Sequence, residues 1–502
     1  MAWTPLKISE NNSPYNLKTV LIFSNDESYL VKMKSILNQK CQKIIEISEA
    51  DKFEKISETK YTISQTEEAY LKLINCVKSE DLSTIFHLFT AEQNGLINSL
   101  NDLKNTQKTG VYSLLWLTKA LSESKFLGNL KIFLISQCSC KVSGNERTIY
   151  PEKSTLFALG KVVNAEYSNL KCKCVDLEGI EDIKFLSREF NDLSNIYQVA
   201  YRDGKRYVEQ FEKLKFRNSL NSNPVIADNN VYVIFGGTGG LGLEVAKYIS
   251  CVAKSKIILV SKTYKIYDED AVSNEKDKHK VRLINEIRKS GSEVEIYNVD
   301  ISDFERLSDL YENIILKYTK VNGVFHCAGV PGKGYITNKR IEDFDRTIAP
   351  KVYGTWNIGN IFKNIDFMVL FSSVNSIFGM PGQSDYTSGN VYQDNYCDLQ
   401  NLKCRKTICI NWAPWAETGM AVNFKQEDNK MFKALNTREA IAFMDTLLNS
   451  DTEKAIVGRI HRAKVTKKLV DSLPFLISGD IIHNFKNINE QEINIDWTYE
   501  DI

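Results

Sequence analysis

The chain has almost no net charge. Its 502 residues carry 64 Lys and Arg against 63 Asp and Glu, a formal +1, so electrostatics supply no reason to expect a nucleic-acid partner. It also lacks any apolar run of roughly eighteen residues and any basic-then-apolar leader, so neither a membrane span nor a secretory signal is expected, and the expected location is cytoplasmic. Histidine is scarce: there are five, and no two fall at the i, i+4 spacing of a helical metal pair. Disulfide logic is missing as well, because the eleven cysteines are odd in number and scattered, which suits reduced thiols. Two C-x-C pairs, Cys138/Cys140 and Cys172/Cys174, depart from the usual C-x-x-C zinc spacing. In "LKCKCVDL" the alternation puts Cys172 and Cys174 on one strand face as small apolar residues, so no metal is expected. No tandem repeat or low-complexity segment stands out.

At this length two domains are the default, and two series of alternating strands and helices follow one another. The first contains "TVLIFSND", the helical "ESYLVKMKSILNQ", "KIIEIS", "STIFHLF", a helix over about 109–123, "KIFLIS", "KCKCVDLEG" and "NIYQVAYRDGKRYVEQF". That pattern predicts a parallel sheet flanked by helices. Its opening strand runs into Ser24-Asn25-Asp26, with no glycine to admit a phosphate, so this half is expected to bind no nucleotide. The polar "RNSLNSNPVIADNN" separates it from a fuller second series, with strands at 231–235, "KIILVS", "EVEIYNVD", "VNGVFHCAG", "DFMVLFSS" and "TICINW". The fold class is therefore α/β, with two Rossmann-like subdomains: the first truncated and nucleotide-free, the second a doubly wound parallel sheet. The expected divisions are 1–216, a linker over 217–230, 231–483 and a tail over 484–502. The charged stretch 267–280 is expected as a solvated loop or helix start.

"IFGGTGGLGLEVA" concentrates five glycines between Gly236 and Gly242, after a strand and before a helix over 241–252. Gly237, Gly239 and Gly242 give G-x-G-x-x-G, and Gly236, Gly240 and Gly242 give G-x-x-x-G-x-G; Thr238 and Leu241 complete the turn. Such a turn lets a pyrophosphate approach bare amides at the positive end of a helix. The next strand ends at Ser261 and Lys262 rather than at an acidic residue, which suits a 2′-phosphate and so NADPH. Asp300 closes another strand, where an adenine contact is expected. Ala328 and Gly329 are small residues past which a cofactor could run.

In "FSSVNSIFGMPGQSDYTSGN", Tyr386 follows Ser373 by thirteen positions and Asn390 follows by four more, so Tyr386 and Asn390 share a helix face. Ketone reduction needs this set: negative charge builds on the carbonyl oxygen, which must be stabilised and then protonated. A tyrosine with an ordinary pKa of about 10 is a usable acid, and a neighbouring cation would bring that value down. Lys351, in "APKVYGTWN", is the candidate cation.

These motifs resemble the short-chain dehydrogenase/reductases, and specifically the ketoreductase domain of modular polyketide synthases. General short-chain reductases carry Y-x-x-x-K. Here Asn390 takes the lysine's place and the lysine comes from Lys351-Val352-Tyr353-Gly354, as in the polyketide subfamily, so Lys351, Ser373, Tyr386 and Asn390 match its tetrad. Trp3-Thr4-Pro5 is similar to the family's entry segment and "FALGKVVNAEYSNLKCKCVDLEG" to its nucleotide-free subdomain. "HCAGVPGKG" and "INWAPWAETGMA" resemble its cofactor-side and lid segments. The glycine-rich "GVPGKG" and "GQSDYTSGN" are closer to synthases without an integral acyltransferase. The resemblance implies NADPH as cofactor and Trp415 and Met420 as lid residues at the substrate, with a packed core tryptophan as the other reading of Trp415. It implies reduction of a β-ketoacyl thioester to a β-hydroxyacyl thioester, with the substrate on the phosphopantetheine arm of an acyl carrier protein and neighbouring synthase domains as further partners.

Stereochemical signals conflict. Pro331-Gly332-Lys333 lacks the L-D-D aspartates of B-type domains, Phe378 stands where A-type domains place tryptophan, and Pro381 is a B-type feature; the balance leans to an A-type, L-configured alcohol. "VDSLPF" at 470–475 superficially matches a carrier-protein serine, but Pro474 and the short remaining chain do not allow the helical bundle. Two other functions compete, a non-reducing scaffold and a free-standing reductase of small ketones. The intact tetrad and glycine turn weigh against the first, and the nucleotide-free half against the second.

Overall fold

The structure is a computed structural model that describes residues 1–8, 17–38, 40–92, 95, 97–192, 194–214, 225–263, 275–420 and 431–486. Most of the 217–230 linker, residues 267–274 of the charged stretch, Ala421 of the lid segment and the tail beyond Lys486 lie outside the described residues.

Seven parallel strands build the second half in the order Glu293–Asn298, Lys256–Ser261, Val231–Phe235, Gly323–His326, Phe367–Ser373, Thr407–Trp412 and Lys454–Val457. Strand order reverses between Val231–Phe235 and Gly323–His326, which is where open α/β sheets form their ligand crevice. Register aligns the carboxyl ends there: Phe235 lies opposite both Val260 and His326. The residues that follow, Gly236, Ser261 and Cys327, are thus delivered to one edge. Val231–Phe235 and Thr407–Trp412 are buried along their whole length, which is why "VYVIF" reads as an unbroken apolar run rather than an alternating one. "KAIV" at Lys454–Val457 was not among the expected strands; four residues are too few for a periodic signal.

The first half repeats that order in its parallel core: Lys60–Ile63, Cys41–Glu49, Leu17–Phe23, Leu82–His87, Leu130–Gln137, Leu170–Leu177 and Gln198–Arg202. Its truncation lies in a connection. Where the second half has the helix Glu275–Lys289, the first has only the short strand Glu54–Ser57. Antiparallel strands extend the other edge. Lys205–Phe211 returns from Gln198–Arg202 through Asp203-Gly204, both at positive φ as a tight hairpin requires. Ala2–Pro5 then pairs with Lys205–Phe211. Leu476–Ile477 also pairs with that strand, beside Gln210 and Phe211, so a segment near the end of the expected 231–483 division joins the first half's sheet.

The halves share a detail at their fourth strands. "IFH" and "VFH" end in His87 and His326, each buried and each pulled down to about 3 mainly by that burial. The expected helix over 109–123 starts earlier, as an α-helix over Leu100–Gln107, passes through a π-helical turn, Lys108–Tyr112, and is α-helical again over Ser113–Glu123. At that junction Ser113 Oγ meets His87 Nε2 at 2.7 Å. Cys172 and Cys174 are buried side by side on Leu170–Leu177. Among the described residues no helix is long and apolar enough to cross a membrane.

Between the halves, Ser154–Glu166 packs against Ser384–Leu402. Both are buried on nearly every side, which accounts for the all-round apolar character of "FALGKVV". The helix that carries Tyr386 therefore rests on the half expected to bind no nucleotide.

Candidate active site

The glycine turn has two kinds of glycine. Gly236 adopts φ +74°, and a Cβ there would lie 2.7 Å from the Ala328 amide nitrogen. Side chains at Gly237, Gly240 and Gly242 would strike Ile234 O, Thr418 Oγ1 and Gly236 O respectively. These positions are glycine because the protein packs on itself. Gly239 differs: it is exposed, and its only near neighbour is Gly236 O at 3.1 Å. It caps the helix Gly240–Val252, and no side chain hydrogen-bonds the amides of that cap. Bare amides at a helix N-terminus are suited to an anionic phosphate.

The corresponding turn of the first half is filled from within. Glu92 Oε1 accepts hydrogen bonds from Ser24 Oγ at 2.8 Å and from the amides of Asn25 and Asp26 at 2.6 and 3.1 Å. Asp26 caps the helix Glu27–Leu37 through the Ser28 and Tyr29 amides. A carboxylate stands there where a phosphate would sit in a nucleotide-binding turn.

Ser261 Oγ accepts from the Thr238 amide at 3.2 Å and meets Thr238 Oγ1 at 2.7 Å. Lys262 and Asp300, anticipated as separate contacts, pair with each other, Nζ to Oδ2 2.6 Å. Burial alone would raise the Asp300 carboxyl, but Lys262 and the Ser302 amide hold it below its usual range. Ala328 lies against Gly236, and Gly329 lies between Lys351 and Met420.

The tetrad gathers at one cleft. Lys351, Ser373 and Tyr386 line it together with Gly329, Trp415 and Met420. Asn390 lies one turn behind Tyr386; its Nδ2 donates to Tyr386 O at 2.7 Å, while its buried Oδ1 has no partner. Burial pushes the Tyr386 phenol above 10, with hydrogen bonding to Asn390 and Ser373 opposing it. The phenol therefore keeps its proton at neutral pH and is available as an acid. The expected lowering of the tyrosine by Lys351 is not what governs this arrangement. The ammonium lies over the Tyr386 ring at 5.9 Å but donates to Phe371 O at 2.7 Å and Gln393 Oε1 at 2.8 Å. Its own pKa is pulled down by burial to about 8. Among the described residues no carboxylate lines the cleft, and Lys351 is the one charged residue there.

Trp415 has two sides. It lines the cleft and is also a core residue, packed edge-on against Trp412 with ring centres 5.2 Å apart. Phe378 turns away, packing edge-on against Phe432 and Phe475. Several residues escaped the reading of the sequence. Gln393, which holds Lys351, is seven positions after Tyr386, and the i, i+4, i+7 spacing of 386, 390 and 393 was the available signal. Thr418 and Gly419 lie on Gly240 and Leu241, and Met380 and Gln383 add to the walls; nothing local marked them.

Comparison with known proteins agrees with this geometry. Residues 230–417 match the family model of the KR domain, and residues 18–192 match one described as beta-ketoacyl synthase-like, N-terminal. Polyketide synthase PksN of Bacillus subtilis (strain 168) is 29% identical over 327 residues, 62% of this chain and 6% of that protein. Polyketide synthase PksM of the same organism is 30% identical over 279 residues, 54% of this chain and again 6% of the relative. The chain thus spans a small fraction of these relatives. An N-terminal ketoreductase from the macrolactin assembly line has the same fold, with a TM-score of 0.79 at 22% identity over 93% of this chain and 92% of that one. The KR model spans the glycine turn and all four of Lys351, Ser373, Tyr386 and Asn390, so it is residues 230–417 that match the ketoreductase domain, in a chain similar to polyketide synthases.

Proposed function

We propose that the chain reduces a β-ketoacyl thioester, carried on the phosphopantetheine arm of an acyl carrier protein, to the β-hydroxyacyl thioester with NADPH. The observation that carries this reading is the convergence of Lys351, Ser373 and Tyr386 on one cleft beside a helix N-terminus that no side chain caps. The open face at Gly239 and the unpartnered Asn390 Oδ1 fit a bound dinucleotide and an ordered proton path.

NADPH, when bound, supplies the hydride. Ser373 Oγ hydrogen-bonds the ketone oxygen and Tyr386 presents its phenol to the same atom. As negative charge develops there, the Tyr386 proton moves onto the oxygen, giving the alcohol. Asn390 Oδ1 accepts from the water that returns a proton to the tyrosine. Lys351, fixed by Phe371 O and Gln393, sets a positive potential in a cleft that no described carboxylate lines. Gly236 to Gly242 would hold the pyrophosphate through their backbone, and Ser261 and Lys262 would take the 2′-phosphate, for which Lys262 would give up Asp300. Neighbouring synthase domains are the source of the carrier protein, and the missing L-D-D aspartates at 331–333, set against Phe378 and Pro381, lean to an L-configured alcohol.

The test follows NADPH absorbance with a β-ketoacyl thioester, as an N-acetylcysteamine ester and on a carrier protein, beside a small cyclic ketone. Thioester reduction well above that of the ketone is expected. A preference for the ketone favours a free-standing reductase, and no turnover of any thioester leaves a scaffold.

A further inference from the structure

The half without a nucleotide turn reaches into the cleft. Glu166, at the end of Ser154–Glu166, accepts the Gly382 amide at Oε1 over 2.8 Å and the Ile336 amide at Oε2 over 2.7 Å. These amides belong to two separate segments. One, 331–336, contributes Pro331 to the cleft; the other, 379–383, contributes Met380 and Gln383 and leads straight into the helix of Tyr386. One carboxylate therefore ties both walls to a rigid helix, through charge-assisted hydrogen bonds of the stronger kind.

Other contacts run the same way. Tyr167 OH meets Thr337 Oγ1 at 2.8 Å, Lys119 Nζ donates to Lys339 O at 3.1 Å, and Lys161 Nζ donates to Ser376 O at 3.0 Å. The Lys339 ammonium continues inward to Asp385 at 2.9 Å, an ion pair with side chains 0% and 1% exposed. Asp385 Oδ1 accepts the Tyr386 amide at 2.9 Å, and a side chain at Gly332 would collide with that oxygen. The path from the first half to the backbone of the tyrosine is thus continuous.

We propose that Glu166 is a positioning residue: by holding the 331–336 and 379–383 segments at a fixed separation, it sets which face of the ketone meets the hydride. This rests on the reduction proposed above. The two segments are the walls beside Tyr386; Gln383 Nε2 joins them directly by donating to Gly332 O at 3.2 Å, and Glu166 bonds to both from the first half. Glutamine in its place keeps the shape but presents an NH2 group to one of two amide donors, so one tie is lost. A wall displaced by about 1 Å is enough to change rates by roughly 100-fold, and a second ketone orientation then becomes productive.

The experiment compares wild type with Glu166→Gln and Glu166→Asp on an α-substituted β-ketoacyl thioester. It measures product diastereomer ratio by chiral chromatography, kcat, NADPH affinity by fluorescence, and the thermal midpoint. Glu166→Gln is expected to raise the minor alcohol at least about tenfold and lower kcat about tenfold, against the roughly 100-fold available from misplacement, with NADPH affinity within twofold of wild type. Glu166→Asp, which keeps both acceptors on a shorter arm, restores part of the ratio. It carries the same measurement if the glutamine variant does not fold. An unchanged product ratio, with kcat falling only in step with the folded fraction, overturns the positioning role and leaves the reduction standing. A wild type that reduces no thioester removes both.

Discussion

Replacing Lys351 with methionine separates what this side chain costs the fold from what it does in the cleft. It is 2% exposed, and burial takes its pKa from 10.5 to about 8. At 1.36 kcal/mol per pH unit, that displacement disfavours the folded ammonium by about 3 kcal/mol. Because the folded value lies below the unfolded one, the penalty is complete below pH 8 and fades as pH rises from about 8 toward 10.5. Two hydrogen bonds stand against it, to Phe371 O and Gln393 Oε1. Their loss leaves two buried acceptors unmet, at about 1–3 kcal/mol each. Methionine has a similar volume, so no large cavity is added.

At pH 7 the two effects offset to within about 2 kcal/mol, and Lys351→Met is expected to unfold in urea close to wild type. At pH 10 wild type has shed most of its penalty, and the variant should fall behind by about 2–4 kcal/mol. NADPH affinity behaves differently. In wild type it should weaken above pH 8 as the ammonium is lost, while in Lys351→Met it should be weak and flat across the same range, both read by fluorescence titration. A stability gap that stays constant or narrows between pH 7 and 10 refutes the buried-ammonium reasoning.

Tyr386→Phe keeps the ring and removes the proton; turnover should fall by about 10²- to 10⁴-fold with NADPH affinity unchanged, as single-turnover kinetics at saturating NADPH will resolve. Near-normal reduction would shift the acid to another group or to water near Trp415. Gly239→Ala, whose Cβ would meet only Gly236 O at 3.1 Å, should melt close to wild type yet bind NADPH at least about tenfold more weakly, whereas Gly242→Ala, forced against Gly236 O and Gly237, should lower the thermal midpoint itself. If the two variants behave alike, the division of the turn into packing and ligand-facing glycines is wrong. Lys262→Asp places a carboxylate beside Asp300 and should move the NADPH-to-NADH preference toward NADH; equal preference before and after removes the 2′-phosphate role of Lys262.

The residues within one strand–turn–helix unit could be read from the sequence. Gly236 to Gly242 follow an apolar strand and open a helix, and a strand-end Ser373 precedes Tyr386 and Asn390 at helical spacing. In each case chain geometry alone brings the groups to one edge or face, because the strand and helix periods are the same wherever they occur. Lys351 could be named as a candidate cation, but its assignment came through the resemblance, since its approach to the cleft depends on how the helix Tyr353–Ile361 packs. The tertiary structure alone decided the rest. Glu92 fills the phosphate position of the first half from 66 residues beyond Asp26, Gln393 pins the Lys351 ammonium from 42 residues away, and Glu166 bonds an amide 216 residues later. Leu476–Ile477 joins a sheet whose other strands all lie before residue 212. Such contacts carry no period and no local signature; a carboxylate on a mostly buried helix looks the same in sequence whether it meets water or two amides, and only the packing of the two halves brings those amides within reach.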